Sequence, residues 1–208
     1  MRQGTAPRLY GERLGNVIGI DIDALAVEYA IRNNALPNLK YCIMDTQNLG
    51  FPDDTFDVII CTHTYEHVPD PKKLLDEIYR LLKIGGVCYF TAGNRLSIVE
   101  PHDQLLLLSV IPKPLAHYYL KILRRGDFCY ENHLSYWGLR NLVAKCELVD
   151  YTVKVVKEPA KFFATELMRD GFIKQKIALV LLMLTYWVCV TLWLFRKPPT
   201  TADVIEIS

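Results

Sequence analysis

Two aspartates stand where short apolar runs stop. Asn16-Val17-Ile18-Gly19-Ile20 leads into Asp21, and Leu39 to Met44 leads into Asp45. Runs of this kind, rich in β-branched residues, read as buried parallel strands, so each acid falls at a strand's carboxyl end. A carboxylate there has two uses. It caps the helix that follows, or it accepts hydrogen bonds from a ligand's vicinal hydroxyls with both oxygens. A third group, Glu66 next to His67, follows the run Phe56 to Cys61. That pair has the composition of a general acid–base site, and a histidine opening a helix as a packing residue is the competing reading.

The elements that must position these residues alternate along the chain. After the first strand, Asp23 caps a helix over 24–33 with Leu25, Val27, Tyr29, Ala30 and Ile31 as its apolar face. Phe51-Pro52-Asp53-Asp54 makes a turn. Pro69-Asp70-Pro71 opens a helix over 72–82 that carries Leu74, Leu75, Ile78, Leu81 and Leu82 on one face, and Gly85-Gly86 ends it. Val87 to Ala92 is a fourth strand. Strand, helix, strand, loop, strand, helix, strand predicts an α/β wound sheet, mostly parallel, with ligands beyond the carboxyl ends of its strands. Both acids lie on that side. From Leu96 to Gly126 the pattern loosens into a helical insertion or lid. A helix over 134–145 and a strand over 148–156 follow.

The 208 residues suffice for one domain with a core, and the formal charge of +1 gives no basic stripe for a nucleic acid. Cys42, Cys61, Cys88, Cys129, Cys146 and Cys189 form no CxxC pair, which favours buried thiols over a metal or disulfide site; no metal is expected. The first fifteen residues lack the apolar stretch of a secretory signal. Ile177 to Phe195 has no charge and is flanked by Lys174 and Lys176 before it and Arg196 and Lys197 after it. It has the length of a membrane-spanning helix. The alternative is a connector followed by a last antiparallel strand from Trp187 to Phe195, which Val188, Val190, Thr191 and Trp193 favour. The unbroken length tips the reading toward membrane association through 177–195, with a cytoplasmic protein as the alternative.

The phrases VIGIDID, the acid Asp45 after a strand, and LGFPDDTFDVIICTHTYEHVPDPKKLLDEIYRLLKIGGVCYF together resemble the class I S-adenosylmethionine-dependent methyltransferases of the type 11 domain group. The likeness is dense from about Val17 to Phe90. It implies a Rossmann-like wound sheet with an antiparallel last strand, and S-adenosylmethionine as cofactor. By that resemblance Asp21 holds the ribose hydroxyls and Ile22 packs on the adenine. Asp45 accepts from the adenine amino group with help from the backbone of Thr46, and Thr62 and His63 line the methionine end. His67 and His102 are the candidates for acid–base or acceptor contacts, with Arg95 and Glu100 in the same region. His117 and His133 read as surface or lid residues.

The family opens with a strand and a turn of the form D-x-G-x-G-x-G, and only 20 residues precede Asp21. The expectation is therefore a partial methyltransferase domain over 1–160 that lacks its first strand, with 94–133 as a lid or substrate insertion and 161–208 as a C-terminal segment. In the family's strand order the missing strand lies between the Val17 and Phe56 strands. The implied activity is methyl transfer to a small or lipid-like acceptor. The alternative is a non-catalytic, truncated, membrane-associated methyltransferase-like protein. A nicotinamide-dependent oxidoreductase is a third reading, which the absence of GxGxxG opposes.

Overall fold

The computed structural model describes residues 7, 10–93, 111, 113–123, 133–162, 176 and 190–198. They belong to two compact units, Met1–Phe51 and Pro52–Ser208.

The first unit is strand β1 (Val17–Asp21), helix α1 (Ala24–Asn33) and strand β2 (Leu39–Ile43). β1 and β2 are parallel and in register from Val17 opposite Leu39 to Asp21 opposite Ile43. α1 starts where expected, because the Asp23 carboxylate accepts from the Leu25 N–H at 2.9 Å. Its buried face is narrower than the pattern suggested. Ala26, Val27 and Ala30 are buried, whereas Leu25, Tyr29 and Ile31 are exposed. The chain entering β1 is tied down by Asn38, whose side-chain amide donates to the carbonyls of Gly11 at 2.8 Å and Gly15 at 2.6 Å.

The second unit contains β3 (Phe56–Thr62), α2 (Pro71–Leu81), β4 (Leu82–Gly93), α3 (Lys113–Ile122), α4 (Tyr136–Leu142), β5 (Glu147–Asp150), α5 (Thr152–Lys157) and β6 (Val190–Arg196). Its sheet runs β3-β4-β6-β5, with β3 and β4 parallel and β6 antiparallel to both of its neighbours. Among the described residues β1 and β3 share no sheet. Asp70 caps α2 by accepting from the N–H groups of Lys72 and Lys73, and Pro71 takes the first helical position. The core joins Leu74, Leu75 and Ile78 of α2 to Cys88 and Phe90 of β4, Tyr136 and Leu139 of α4, and Trp193 and Phe195 of β6.

Three expectations change. The stretch 190–196 is a strand between β4 and β5, so 177–195 is not one membrane-spanning helix; residues 177–189 lie outside the described ones. Among the described residues no helix is long and apolar enough to cross a membrane. The physical reason is burial within the sheet, since Trp193 and Phe195 are enclosed by Phe90 and Tyr136. Second, Gly85-Gly86 does not end a helix. α2 gives way to β4 at Leu82, and Leu82 pairs with Phe56 while Val87 pairs with Val58. The residues between form a bulge, in which Gly85 has φ +77° and a Cβ on Gly86 would meet the Lys83 carbonyl oxygen at 2.8 Å. Third, the strand expected over 148–156 stops at Asp150 and becomes α5. Asp150 takes the Thr152 N–H on its side chain at 2.8 Å, which diverts the chain from the ladder.

Candidate functional site

Parallel pairing of β1 and β2 brings Asp21 and Asp45 to the same end of the first unit. The Met44 N–H donates to the Asp21 carbonyl at 3.1 Å, so Asp45 follows directly on the carbonyl end of β1. Both side chains are exposed. Each also closes a local turn through one oxygen: Asp21 Oδ1 accepts from the Asp23 N–H at 3.0 Å, and Asp45 Oδ1 from the Gln47 N–H at 2.9 Å. These contacts fix the carboxylates, and a carboxylate has about four acceptor positions, so capacity remains for a diol or an amine. Ile22 lies beside Asp21 with 71% of its surface exposed, an apolar plate next to a carboxylate. Thr46 is half-buried. A cavity of about 170 Å³ opens along β1 and α1, lined by Gly19, Ile20, Asp21, Val27, Ala30 and Tyr41 among others. Gly19 is required there, since a Cβ would approach the Tyr41 ring to 2.8 Å. Two exposed acceptors and an apolar surface fit the nucleoside half of the cofactor that the resemblance implies.

The second unit carries a different cluster, at the carboxyl ends of β3 and β4. Thr62 closes β3 and is exposed. His63 follows with φ +51°, a left-handed conformation uncommon outside glycine, and its N–H donates to the Thr91 carbonyl at 3.0 Å. A 3-10 turn over Tyr65–His67 comes next. His63 precedes this turn, and its Nδ1 lies 3.2 Å from Glu66 Oε1. Glu66 is 1% exposed and its Oε2 has no hydrogen-bond partner among the described residues. The His63 side chain is 32% exposed. Tyr65 is fully buried, with its hydroxyl donating to the Gly93 carbonyl at 2.5 Å and accepting from the Leu134 N–H at 3.1 Å. The His133 ring lies against Gly93, where an added Cβ would be 3.0 Å from it.

The charges in this cluster support one another. The Glu66 hydrogen bond raises the His63 pKa, partial burial works against it, and the Glu66 charge adds to the rise. For Glu66, burial pushes the carboxyl up, but the His63 hydrogen bond, a backbone hydrogen bond and the charges of His63 and His133 together bring it below its ordinary value. The carboxylate thus stays ionised inside the protein. Burial lifts the Cys61 thiol to about 12, so it remains a protonated core group.

The predicted site residues therefore divide. Asp21, Ile22, Asp45 and Thr46 gather in the first unit; Thr62 and His63 lie in the second. Glu66 does serve a histidine, but that histidine is His63, while His67 is exposed on the outer side of the turn. His133, read as a surface or lid residue, is half-buried with its ring against Gly93. Arg95, Glu100 and His102 lie outside the described residues. Sequence reasoning overlooked the His63–Glu66 pair, although the H-x-x-E spacing after a strand end was its signal. Among the described residues no group of three His, Cys, Asp or Glu side chains is placed to hold a metal ion.

Comparison with known proteins agrees with this architecture. Residues 2–90 match the family model described as a methyltransferase domain. A ubiquinone biosynthesis O-methyltransferase of Pseudomonas entomophila is 34% identical over 153 residues, covering 71% of this chain and 62% of that protein. The protein of the same name from Psychrobacter arcticus is 28% identical over 137 residues, covering 64% of this chain and 50% of its own. The chain spans about half the length of the curated relatives it matches. Among solved structures, an S-adenosylmethionine-dependent methyltransferase from Mesorhizobium loti superposes with a TM-score of 0.60 at 14% identity, over 93% of this chain and 86% of that one. The geranyl diphosphate C-methyltransferase of Streptomyces coelicolor A3(2), solved with S-adenosyl-L-homocysteine, gives 0.55 at 13% identity, over 94% and 67%.

Proposed function

We propose that this chain, which belongs to the class I S-adenosylmethionine-dependent methyltransferases and has their Rossmann-like α/β fold, transfers a methyl group to an oxygen of a small or lipid-like acceptor. The sulfonium cofactor supplies an electrophilic methyl, and the protein's share is to align the acceptor and dispose of its proton. In this reading Asp21 accepts from the ribose hydroxyls and Ile22 covers the adenine. Asp45 and the Thr46 backbone meet the adenine edge. One observation carries it: Asp21 and Asp45 stand exposed at the same end of a parallel strand pair, with an exposed apolar residue beside the first. The O-methyltransferase names of the relatives support oxygen as the acceptor atom.

Calorimetric titration with S-adenosylhomocysteine tests the reading. Hydrogen bonds to a charged group contribute about 1.5–3 kcal/mol, so Asp21→Asn is expected to weaken binding by about ten- to a hundredfold. Equal affinity for the variant and the wild type would remove Asp21 from the site. A second reading, a binding protein without turnover, is favoured by the division of β1 and β3 between two sheets among the described residues. Binding of S-adenosylhomocysteine with no transfer of labelled methyl to any of a panel of phenols and alcohols would select it.

A further inference from the structure

We propose that His63 and Glu66 form an acid–base dyad, in which His63 Nε2 takes the proton of the acceptor hydroxyl and Glu66 positions the imidazole. The inference rests on the methyl-transfer reading and adds the group that removes the proton. Glu66 is enclosed almost completely, and a carboxylate held there without a function is an expensive core residue. Its Oε1 meets His63 Nδ1 at 3.2 Å. An ionised carboxylate only accepts, so Nδ1 carries the hydrogen and the lone pair sits on Nε2, for which no partner exists among the described residues. The ring is part-exposed while its partner is buried, which is the arrangement of a base that faces a ligand and an anion that steadies it from behind. The left-handed backbone of His63, held by the Thr91 carbonyl, sets the ring at the strand's carboxyl end.

The step balances as follows. The acceptor O–H bond breaks and its proton goes to Nε2. The oxygen's electron pair forms the new O–CH3 bond. The sulfonium cofactor, when bound, would supply the methyl and leave as a neutral thioether, and the imidazolium is held by Glu66 until it returns the proton to water. An imidazole base suits a phenol, with a pKa of about 10, far better than an aliphatic hydroxyl, which gives up its proton much less readily. The other titratable groups around the pair are Tyr65 on the same turn, Cys61 on β3 and His133 before α4. Burial holds Tyr65 and Cys61 protonated, and the His133 charge acts on Glu66 in the same sense as His63.

The test uses the full chain, 4-nitrocatechol as acceptor probe, and the variants Glu66→Gln and His63→Asn. Asparagine tolerates a positive φ, so the second variant keeps the backbone. Proton–nitrogen NMR of the imidazole is expected to show His63 titrating above its ordinary midpoint in the wild type and at or below it in Glu66→Gln. Bound 4-nitrocatechol is expected to show the absorbance of its anion, at a pH where the free probe is protonated, with the wild type and not with His63→Asn. Methylation of the probe should fall by about 10²–10⁴ in His63→Asn, and its acid limb should move to lower pH in Glu66→Gln. A merely structural pair would change melting temperature and leave the acid limb in place. An unchanged His63 titration in Glu66→Gln, or a probe that binds wild type and His63→Asn in the same protonation state, overturns the dyad. Failure of S-adenosylhomocysteine to bind the wild type, with the NMR and absorbance results as expected, rejects the methyl-transfer reading and leaves the dyad standing.

Discussion

Replacement of Trp193 by alanine is the sharpest test of where the apolar C-terminal run belongs. Trp193 is completely buried on β6, opposite Phe90 on one side and Asp150 on the other. Its ring stacks on Phe90 at 6.3 Å and meets the edge of Tyr136 at 5.4 Å, so it joins the sheet to α4. Truncating a buried aromatic to alanine costs about 3–5 kcal/mol, a large share of the roughly 5–15 kcal/mol that holds a domain folded. The indole N–H, however, has no hydrogen-bond partner among the described residues. An orphaned buried donor costs about 1–3 kcal/mol, so Trp193→Phe sheds that penalty while keeping most of the ring. The expectation is a loss of about 3–5 kcal/mol for alanine and under about 1.5 kcal/mol for phenylalanine. Urea unfolding followed by circular dichroism measures both, with the second unit's transition fitted separately because two compact units need not unfold together. Wild-type stability in Trp193→Ala would place this stretch outside the sheet and revive the membrane helix.

The β4 bulge gives a second expectation. Gly86→Ala drives a Cβ toward the carbonyl oxygens of Lys83, Phe56 and Asp57, all backbone, so it should cost about 1–3 kcal/mol in the same unfolding experiment. Wild-type behaviour would mean that the bulge relaxes freely. The third concerns pH. The folded pKa of His63 lies above its ordinary 6.5, so its stabilising share is complete below about 6.5 and disappears as pH rises through the folded value. The folded pKa of Glu66 lies below its ordinary 4.5, so its share is complete above about 4.5 and disappears as pH falls through the folded value. The pair therefore stabilises the second unit most between about pH 4.5 and 6.5, and Glu66→Gln should lower the melting temperature most in that window and flatten the fall on either side of it. A profile identical to wild type would show that the two groups do not interact in solution.

How much of this was legible in the sequence depends on the range of each signal. Asp21, Asp23 and Asp45 were readable because strand-final acids and helix caps are local patterns, and the structure puts all three where those patterns say. The His63–Glu66 contact was missed for an equally local reason. Glu66 and His67 are neighbours in sequence, but Glu66 meets His63, which precedes the turn, while His67 is exposed. β6 was ambiguous because a strand enclosed in a sheet shows no alternation and cannot be told from a buried helix by period alone. Only its partners, Phe90 across one ladder and Asp150 across the other, decide the matter. α5 was lost to a single contact, the capture of the Thr152 N–H by Asp150, which no count of β-branched residues anticipates.

β1 and β3 each pose an edge problem that a sequence states only indirectly. Both are apolar runs of the kind found inside parallel sheets, yet among the described residues each has one strand partner. An unpartnered edge exposes N–H and C=O groups to any passing strand, and proteins blunt such edges with charge or a bulge. β3 has both. Asp57 is 79% exposed and paired with Lys83 at 2.8 Å, and the ladder to β4 is interrupted at the same residue by the bulge at Gly85 and Gly86. Val58, two strand positions in from Phe56, stays 47% exposed, so the protection covers the start of the strand and leaves its middle open. β3 is thus guarded at the end remote from Thr62 and His63.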